Sequence, residues 1–191
     1  MRIILTTVSL VLAPIFVAMA QAPQTRSPYA GQQGRVVKAL SDEAVQGYLD
    51  GRGVALALPA ELNHYPGPRH VLDLADSLQL TAEQRATIEA IYTEMHARVV
   101  PLGRSLVAVE SRLDSAFALG TVTPEGLAAL LHESATVTER LRFTHLRAHL
   151  DARRILSPQQ ITVYDRLRGY DSHSDQSHEG HLHGEPPRPP E

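Results

Sequence analysis

The five-residue sequence LTAEQ at residues 80–84 returns as LSPQQ at residues 156–160, and the pair limits what the chain between them can form. The first N–H groups of a helix lack partners within the helix, and a Thr or Ser followed three residues later by Gln can supply two of them. Each copy therefore predicts the start of a helix. The capping pairs are Thr81 with Gln84 and Ser157 with Gln160.

Between the two copies, apolar residues recur at three- and four-residue steps, which is the spacing of one face of a helix. The turn sequence ALGTVTPEG at residues 118–126 divides this pattern into an outgoing and a returning helix. Pro101 removes one helical hydrogen bond, so we expect a kink there, but the apolar spacing continues past it. The pattern predicts an all-α fold built on a long antiparallel helical hairpin. Its apolar seam consists of Ile88, Ile91, Met95, Val99, Leu102, Leu106, Val109, Leu113, Phe117, Leu127, Leu130, Val137, Leu141, Ala148 and Ile155.

The sequence on either side of the hairpin divides into shorter segments. Residues 1–20 have the positive start, apolar centre and small-residue end of a signal peptide, which predicts export to the periplasm with cleavage after Ala20. An uncleaved membrane anchor is the alternative, since about 18 apolar residues can just span a bilayer. No other segment is apolar enough to cross a membrane. The remaining segments are a flexible tether at residues 21–40, a short helix capped by Ser41 and a turn at 41–65, the hairpin domain at 66–170, which opens with a helix over residues 69–78, and a disordered His-rich tail at 171–191.

Composition narrows the range of functions. The chain has no cysteine, which excludes disulfides and thiolate metal sites. Its formal net charge of −3 offers no broad basic surface for nucleic acid. Aromatic residues make up 5% of the chain and tryptophan is absent, so we expect an aliphatic core, as in helix bundles. The chain has no phosphate-binding glycine loop and no H-E-x-x-H motif, and we predict that the protein is not an enzyme.

Four side chains of the hairpin can bind a transition metal. His145 and His149 lie four residues apart, so both imidazoles project from one face of the returning helix. Folding the hairpin about its turn brings His96 level with His145, and Glu89 within about 4.5 Å of the height of His149. Because the two helices run antiparallel, both flanks fall on the same side of the seam. We therefore expect the three imidazoles and the carboxylate to converge.

Such a ligand set suits zinc, nickel, cobalt or copper(II), and not calcium or magnesium, which prefer oxygen ligands. The alternative is a solvated histidine flank that binds no metal. Met95 could be a soft ligand, but its place on the seam predicts a core residue. His64 and His70, on either side of YPGPR, could complete a site by folding over it, although loop histidines are usually exposed. His132 has no histidine at ligand spacing on its helix, so we expect it at the surface.

The tail predicts a second and weaker metal site. Four histidines occur there among serine, glycine and acidic residues, which is typical of a His-rich metal-binding segment. Ordering a loose chain costs entropy, so we expect a modest affinity. The alternative is a tail that only aids solubility. The histidines are His173, His178, His181 and His183.

A second apolar strip on the returning helix needs a partner of its own. It consists of Phe143, Leu146 and Leu150. A short flanking helix or a second subunit could cover it, and we predict a homodimer. The same helix also carries several arginines, for which acids at three- and four-residue spacings predict an ordinary solvated face. These are Arg140, Arg142, Arg147, Arg153 and Arg154.

Three sequences carry a resemblance to a known family: LQLTAEQ at residues 78–84, HLRAHL at 145–150 and LSPQQITVYDRLRGY at 156–170. Over roughly residues 66–170 the chain resembles the exported helical-hairpin superfamily that includes the Spy/CpxP periplasmic stress proteins and the periplasmic heavy-metal sensor and resistance proteins. The resemblance implies a hook-shaped, usually dimeric and non-enzymatic protein. Related metal sensors place a helical His-xxx-Met pair and a carboxylate at comparable positions, and here His149 replaces the methionine.

Two functions agree with these features. The first is a periplasmic transition-metal-binding protein that senses, buffers or confers resistance to an ion, supported by the hairpin histidines and the tail. Its partner would be a membrane-bound signalling protein. The alternative is an ATP-independent chaperone or envelope-stress adaptor of the Spy/CpxP type, which would bind unfolded clients on the concave apolar face. The acidic balance of the chain argues mildly against a cradle that relies on positive charge.

Overall fold

The computed structural model describes residues 27–170, and every regular element in this range is helical. Residues 27–33 are the described end of a first unit and form hydrogen-bonded turns, whereas residues 34–170 belong to a second unit. The predicted signal peptide, the start of the predicted tether and the His-rich tail lie outside the described residues. The elements are a 3₁₀ turn at Gln32–Gly34 and six α-helices: α1 Asp42–Leu49, α2 Leu58–Glu61, α3 Pro68–Asp73, α4 Ala82–Ala118, α5 Pro124–Ile155 and α6 Pro158–Arg168.

Helices α4 and α5 pack against each other and form the predicted antiparallel hairpin. α4 runs through Pro101 as one helix, as the continuous apolar spacing predicts. Gly120, with a φ of +65°, follows the end of α4, and Thr123 caps α5 by accepting a hydrogen bond from the N–H of Gly126. The buried residues of the seam are Ile88, Met95, Val99, Leu106, Val109, Leu141 and Ala148.

The seam does not reach the tip of the hairpin. Phe117, which the apolar spacing places in the seam, is 58% exposed, so this prediction is wrong. Two helices alone cannot enclose a side chain, and within residues 27–170 the helices α1, α2 and α3 pack against α4 or α5 elsewhere. The enclosed core therefore lies in the half of the hairpin that the shorter helices cover. No helix within the described range is long and apolar enough to cross a membrane.

Both repeated pentapeptides form the predicted helix starts. The Thr81 hydroxyl accepts a hydrogen bond from the Gln84 N–H, and the Gln84 side chain accepts one from the Thr81 N–H, both at 3.1 Å. Ser157 and Gln160 repeat this arrangement at 3.2 and 2.9 Å. Each copy is thus a complete capping box that begins a helix.

The two capping glutamines also bind each other. The Gln84 amide donates to Gln160 Oε1 at 2.9 Å, and the Gln160 amide donates back to Gln84 Oε1 at 3.0 Å. Each amide has a second hydrogen to donate: Gln84 reaches the Ile155 carbonyl at the end of α5, and Gln160 reaches the Leu78 carbonyl just before α4. We call this Gln84–Gln160 pair the glutamine clasp. It explains why one pentapeptide occurs twice, because each copy completes the hydrogen bonding of the other.

The clasp lies beside a hydrophobic core at the base of the hairpin, where α3, α4, α5 and α6 meet. Leu80 packs against this core, and Leu156 is part of it, so the leucine in front of each cap is anchored. The buried residues of this base core are Val71, Leu78, Ile88, Ala152, Leu156 and Tyr164.

Two segments differ from their predicted form. The helix expected over residues 69–78 ends at Asp73, because the chain then turns, with Gln79 at a φ of +50°, to place Thr81 at the start of α4. Within the predicted tether, Val37 is 2% exposed, and Lys38 Nζ lies 3.1 Å from Asp114 Oδ2 on α4. The last residues of the predicted tether are therefore held against the hairpin. The Ser41 cap of α1 is confirmed, since its hydroxyl accepts from the Ala44 N–H at 3.1 Å.

Candidate functional site

The loops around α1, α2 and α3 enclose a cavity of about 740 Å³ against the flank of the hairpin. Its walls come from the chain after α1, from α2 and α3, from α4 and α5, and from Tyr170 beyond α6. We call this cavity the histidine pocket, because four histidines line it: His70, His96, His145 and His149. Both histidines of the predicted pair on α5 lie in this lining, and metal binding by them stays a prediction.

His145 lies in the wall of the histidine pocket with a buried, unpaired nitrogen. The residue is 4% exposed, and its Nε2 has no hydrogen-bond partner among residues 27–170. Burial, followed by the nearby His149, lowers the pKa of His145 to about 4. At neutral pH the ring is therefore uncharged, and one of its nitrogens carries a lone pair.

His149 is held in a defined tautomer. Its Nδ1 lies 2.7 Å from the Tyr65 carbonyl oxygen, which can only accept, so Nδ1 carries the hydrogen and the lone pair of the neutral ring is on Nε2. Gly67 packs directly on this ring. A Cβ at Gly67 would lie 2.9 Å from Cε1 and 3.2 Å from Nε2 of His149, so the close approach requires glycine.

His96 is bound to the loop after α1. Its Nε2 lies 3.1 Å from the Asp50 carbonyl oxygen, so Nε2 donates and Nδ1 carries the lone pair of the neutral ring. Gly51, with a φ of +70°, allows this loop to lie against the ring, because a Cβ there would be 3.0 Å from His96 Cδ2. The tilted ring of Tyr92 completes the surroundings of His96, with its centroid 5.7 Å away.

The expected convergence of four ligands is not present. Glu89 is exposed and does not line the histidine pocket, although the other three residues do. Within residues 27–170, no group of three or more His, Cys, Asp or Glu side chains is placed to hold one metal ion. His96 lines the pocket with His145 and His149, but His96 and His149 are hydrogen-bonded to separate carbonyls, those of Asp50 and Tyr65. Glu89 follows the fully buried Ile88, and one residue turns the helix by about 100° towards solvent.

Glu61 is a buried acid of the pocket that the sequence analysis missed. Its Oε1 accepts hydrogen bonds from the Tyr164 hydroxyl at 2.6 Å and the Tyr170 hydroxyl at 2.9 Å, and Arg168 Nε lies 3.3 Å away. Its Oε2 accepts from the Gly67 N–H at 3.2 Å. Burial, and then the hydrogen bond to Glu61, raise the pKa of both tyrosines. Glu61 therefore ties α2, α6 and the Gly67 loop together at the pocket.

No sequence signal pointed to Glu61. The segment around it has no helical periodicity, and its side-chain partners Tyr164, Tyr170 and Arg168 are distant in the chain. The second carboxylate oxygen of Glu61, Oε2, lies 3.7 Å from His149 Nδ1, and this distance is too long for a hydrogen bond. Glu61 therefore supports the pocket without fixing the His149 tautomer.

The remaining candidates from the sequence are three histidines and Met95, which lie in different surroundings. Burial, and then the charge of Arg168, lower the pKa of His70, which lines the pocket. His64 is outside that lining and lies 2.8 Å from Asp165 through Nδ1. His132 is exposed and Met95 is buried in the core, as predicted. The four tail histidines lie outside the described residues.

Comparisons of the chain with protein-family models, curated proteins and solved structures return no match.

Proposed function

We propose that the protein is an exported, non-enzymatic transition-metal-binding protein, in which His145 and His149 are the first ligands of the ion. The observation that carries the proposal is His145, a residue of the pocket lining whose buried Nε2 has no hydrogen-bond partner among residues 27–170. Zinc, nickel, cobalt and copper(II) accept imidazole lone pairs, whereas calcium and magnesium require oxygen ligands. The family resemblance adds support for sensing, buffering or resistance as the biological role, with a membrane-bound partner for a sensor.

A purely structural histidine would be a poor choice at this position. A buried polar atom without a partner costs roughly 1–3 kcal/mol, and native folds keep few of them. An aliphatic residue would fill the same space without that cost. Coordination of an ion supplies the missing partner and uses the neutral form that burial favours at His145.

His149 has the second feature expected of a ligand. Histidines that bind metals usually donate their other N–H to a carbonyl or carboxylate, which fixes the ring and its tautomer. The Tyr65 carbonyl has this role for His149. A pair four residues apart on a helix can bind one ion with both imidazoles and leave the remaining positions to other ligands.

We expect purified protein to bind zinc, nickel, cobalt or copper(II). Calorimetry should record a heat of binding, and the ion should raise the midpoint of thermal unfolding. His145→Ala and His149→Ala should each abolish the tighter component in calorimetry, because each removes one of two protein ligands. Removal of residues 171–191 should remove the weaker, additional binding. His132→Ala is the matched control, since this exposed histidine is on the same helix. The proposal would be contradicted if His145→Ala and His149→Ala bound the ion as tightly as the control does.

Two glycines of the pocket wall offer a sharper test. Gly67→Ala should weaken ion binding about tenfold or more, because the new Cβ displaces the His149 ring from its place. Gly53→Ala should leave binding unchanged, since its Cβ would meet His145 at an ordinary 3.7 Å. Calorimetry compares the ion affinities of the two variants under conditions in which both are equally stable. Equal affinity in the two variants would show that the His149 position is irrelevant.

We also propose that the protein is a homodimer through the apolar strip on α5. Phe143 is 62% exposed and lies between two grooves of about 360 and 550 Å³, which both include it in their walls. A protruding side chain beside grooves can fit the same surface of a second copy related by a two-fold axis. The grooves are lined by three basic and three acidic residues, so their charges balance, as a self-complementary surface requires. These residues are Arg98, Arg140, Arg147, Glu94, Glu139 and Asp151.

We expect Phe143→Ser to convert a dimer into a folded monomer, as measured by light scattering after size exclusion. Leu131→Ser is the control, because this half-exposed leucine of α5 lines neither groove. A monomeric parent protein would exclude the dimer. Suppression of client aggregation without metal, lost in Phe143→Ser, would then support the alternative, a chaperone of the Spy/CpxP type.

A further inference from the structure

His64 lies outside the lining of the histidine pocket and has a left-handed backbone conformation. Its φ is +64°, a value that is uncommon in residues other than glycine. Such a conformation costs energy and persists only where the surroundings hold it, and residues of this kind are concentrated at functional sites. The contacts of His64 therefore indicate what this part of the chain is held for.

His64 is anchored to two helices. An ionised carboxylate only accepts, so Nδ1 of His64 donates to Asp165 Oδ2 on α6, at 2.8 Å. The His64 carbonyl accepts a hydrogen bond from Arg153 on α5. Asp165 is 5% exposed, and among residues 27–170 His64 is the one hydrogen-bond partner of its carboxylate. A buried carboxylate that loses its partner is strongly unfavourable, so we expect this contact to stay closed.

The residue after His64 holds the proposed ligand. The Tyr65 carbonyl accepts the hydrogen of His149 Nδ1 at 2.7 Å, and the centroid of the Tyr65 ring lies 4.6 Å from the guanidinium carbon of Arg153. Arg153 follows His149 by four residues, so both side chains project from one face of α5. This face binds the carbonyls of two successive residues in the loop between α2 and α3. A shift of His64 would therefore move the acceptor of His149.

We propose that His64, held by Asp165, is a positioning residue for the metal site. It keeps the Tyr65 carbonyl in place, and this carbonyl keeps the lone pair of the neutral His149 ring on Nε2. The inference rests on the proposed function. Its basis is the unbroken series of contacts that leads from Asp165 to His149. In this role His64 binds no ion itself.

The Tyr65 carbonyl has no close substitute at His149. Glu61 Oε2 is 3.7 Å from the same Nδ1, beyond the range of a hydrogen bond. Without the carbonyl, the neutral ring is free to carry its hydrogen on Nε2, which then has no lone pair for an ion. Loss of such an outer partner typically lowers metal affinity by roughly tenfold to hundredfold.

Two substitutions that both tolerate the positive φ test the role of the His64 side chain. Glycine and asparagine adopt this conformation more readily than other residues, but only asparagine has a side-chain N–H that can donate to Asp165. His64→Gly should weaken zinc binding about tenfold, whereas His64→Asn should stay within about twofold of the parent protein. Competition with a chromophoric chelator gives the affinity of the tighter zinc site in each full-length protein. His132→Ala is the control for the loss of an exposed histidine.

Nitrogen NMR of the metal-free protein gives a readout that a loss of stability alone would not change. His149 should carry its hydrogen on Nδ1 in the parent protein and in His64→Asn. In His64→Gly, a measurable share of this hydrogen should move to Nε2 while circular dichroism shows a folded protein. Arg153→Ala releases the His64 carbonyl without touching the buried carboxylate. It should shift the tautomer in the same direction, and it provides the test if His64→Gly does not fold.

The outcomes distinguish this inference from the proposed function. If His64→Gly and Arg153→Ala keep the tautomer and the zinc affinity of the parent protein while His145→Ala loses zinc binding, the positioning role is overturned and the metal site stands. If zinc affinity depends on neither His145 nor His149, the proposed function fails. A tautomer shift in His64→Gly would then still show that His64 positions the His149 ring.

Discussion

Replacing Gln160 by alanine is expected to destabilise the protein by about 3 kcal/mol, since it removes several hydrogen bonds worth roughly 0.5–1.5 kcal/mol each. The lost bonds join Gln160 to the Ser157 N–H, to the Leu78 carbonyl and twice to Gln84. The site is partly buried, so water replaces these partners only in part. Urea unfolding measures the loss. Gln159→Ala is the matched control, because its exposed side chain should change stability by only about 0.5 kcal/mol or less.

Gln160→Glu separates the clasp from the cap. A glutamate at this position still accepts from the Ser157 N–H, and capping boxes use Glu and Gln alike. It cannot donate to the Leu78 carbonyl or to Gln84 Oε1, so we expect a loss of about 1–2 kcal/mol. In a double-mutant cycle, Gln84→Ala and Gln160→Ala should couple by about 1 kcal/mol or more, as contacting residues do. Additive effects would mean that the two glutamines act only as separate caps.

Metal-free protein is expected to lose about 3 kcal/mol of stability as the pH falls from about 6.5 to about 4, because of His145. The pKa of His145 is near its ordinary value of about 6.5 in the unfolded chain and about 4 in the folded protein. The unfolded chain therefore binds the proton first. The stabilisation is complete above the unfolded pKa, declines between the two values and is absent below the folded one. The lowered pKa of His70 acts in the same direction.

Urea unfolding in the presence of a chelator, at neutral pH and at about pH 4.5, measures this effect. Other groups also titrate in this range, so the informative quantity is the difference between the parent protein and His145→Gln. Over this range His145→Gln should lose about 3 kcal/mol less stability than the parent protein, whereas His132→Gln should behave like the parent. A parent protein and His145→Gln with the same pH dependence would show that His145 is not held neutral by burial.

The helix starts and the hairpin could be predicted from sequence because their signals are local. Thr81 with Gln84 forms a capping box within one turn, and the seam repeats every three or four residues. The mutual hydrogen bonds of Gln84 and Gln160 could not be predicted, since they depend on how the base of the hairpin closes. Phe117 has the seam spacing but no covering element among the described residues, because spacing identifies a face and not its partner.

The candidate site was predictable in part for the same reason. His145 and His149 belong to a regular helix, so their shared face followed from their spacing. Glu61 and Gly67 lie in short elements without periodicity, and their contacts to His149 and Tyr164 come from tertiary structure alone. Glu89 was wrongly included because a step of one residue on α4 changes a buried position into an exposed one.

The most direct test of the metal site is nitrogen NMR of the histidine side chains during a zinc titration. Without metal, His149 should have its hydrogen on Nδ1 and His145 should be neutral at neutral pH. With zinc, the signals of His149 Nε2 and of one ring nitrogen of His145 should shift together at one equivalent, while His132 stays unchanged. Unchanged nitrogen signals of His145 and His149 at saturating zinc would contradict the account.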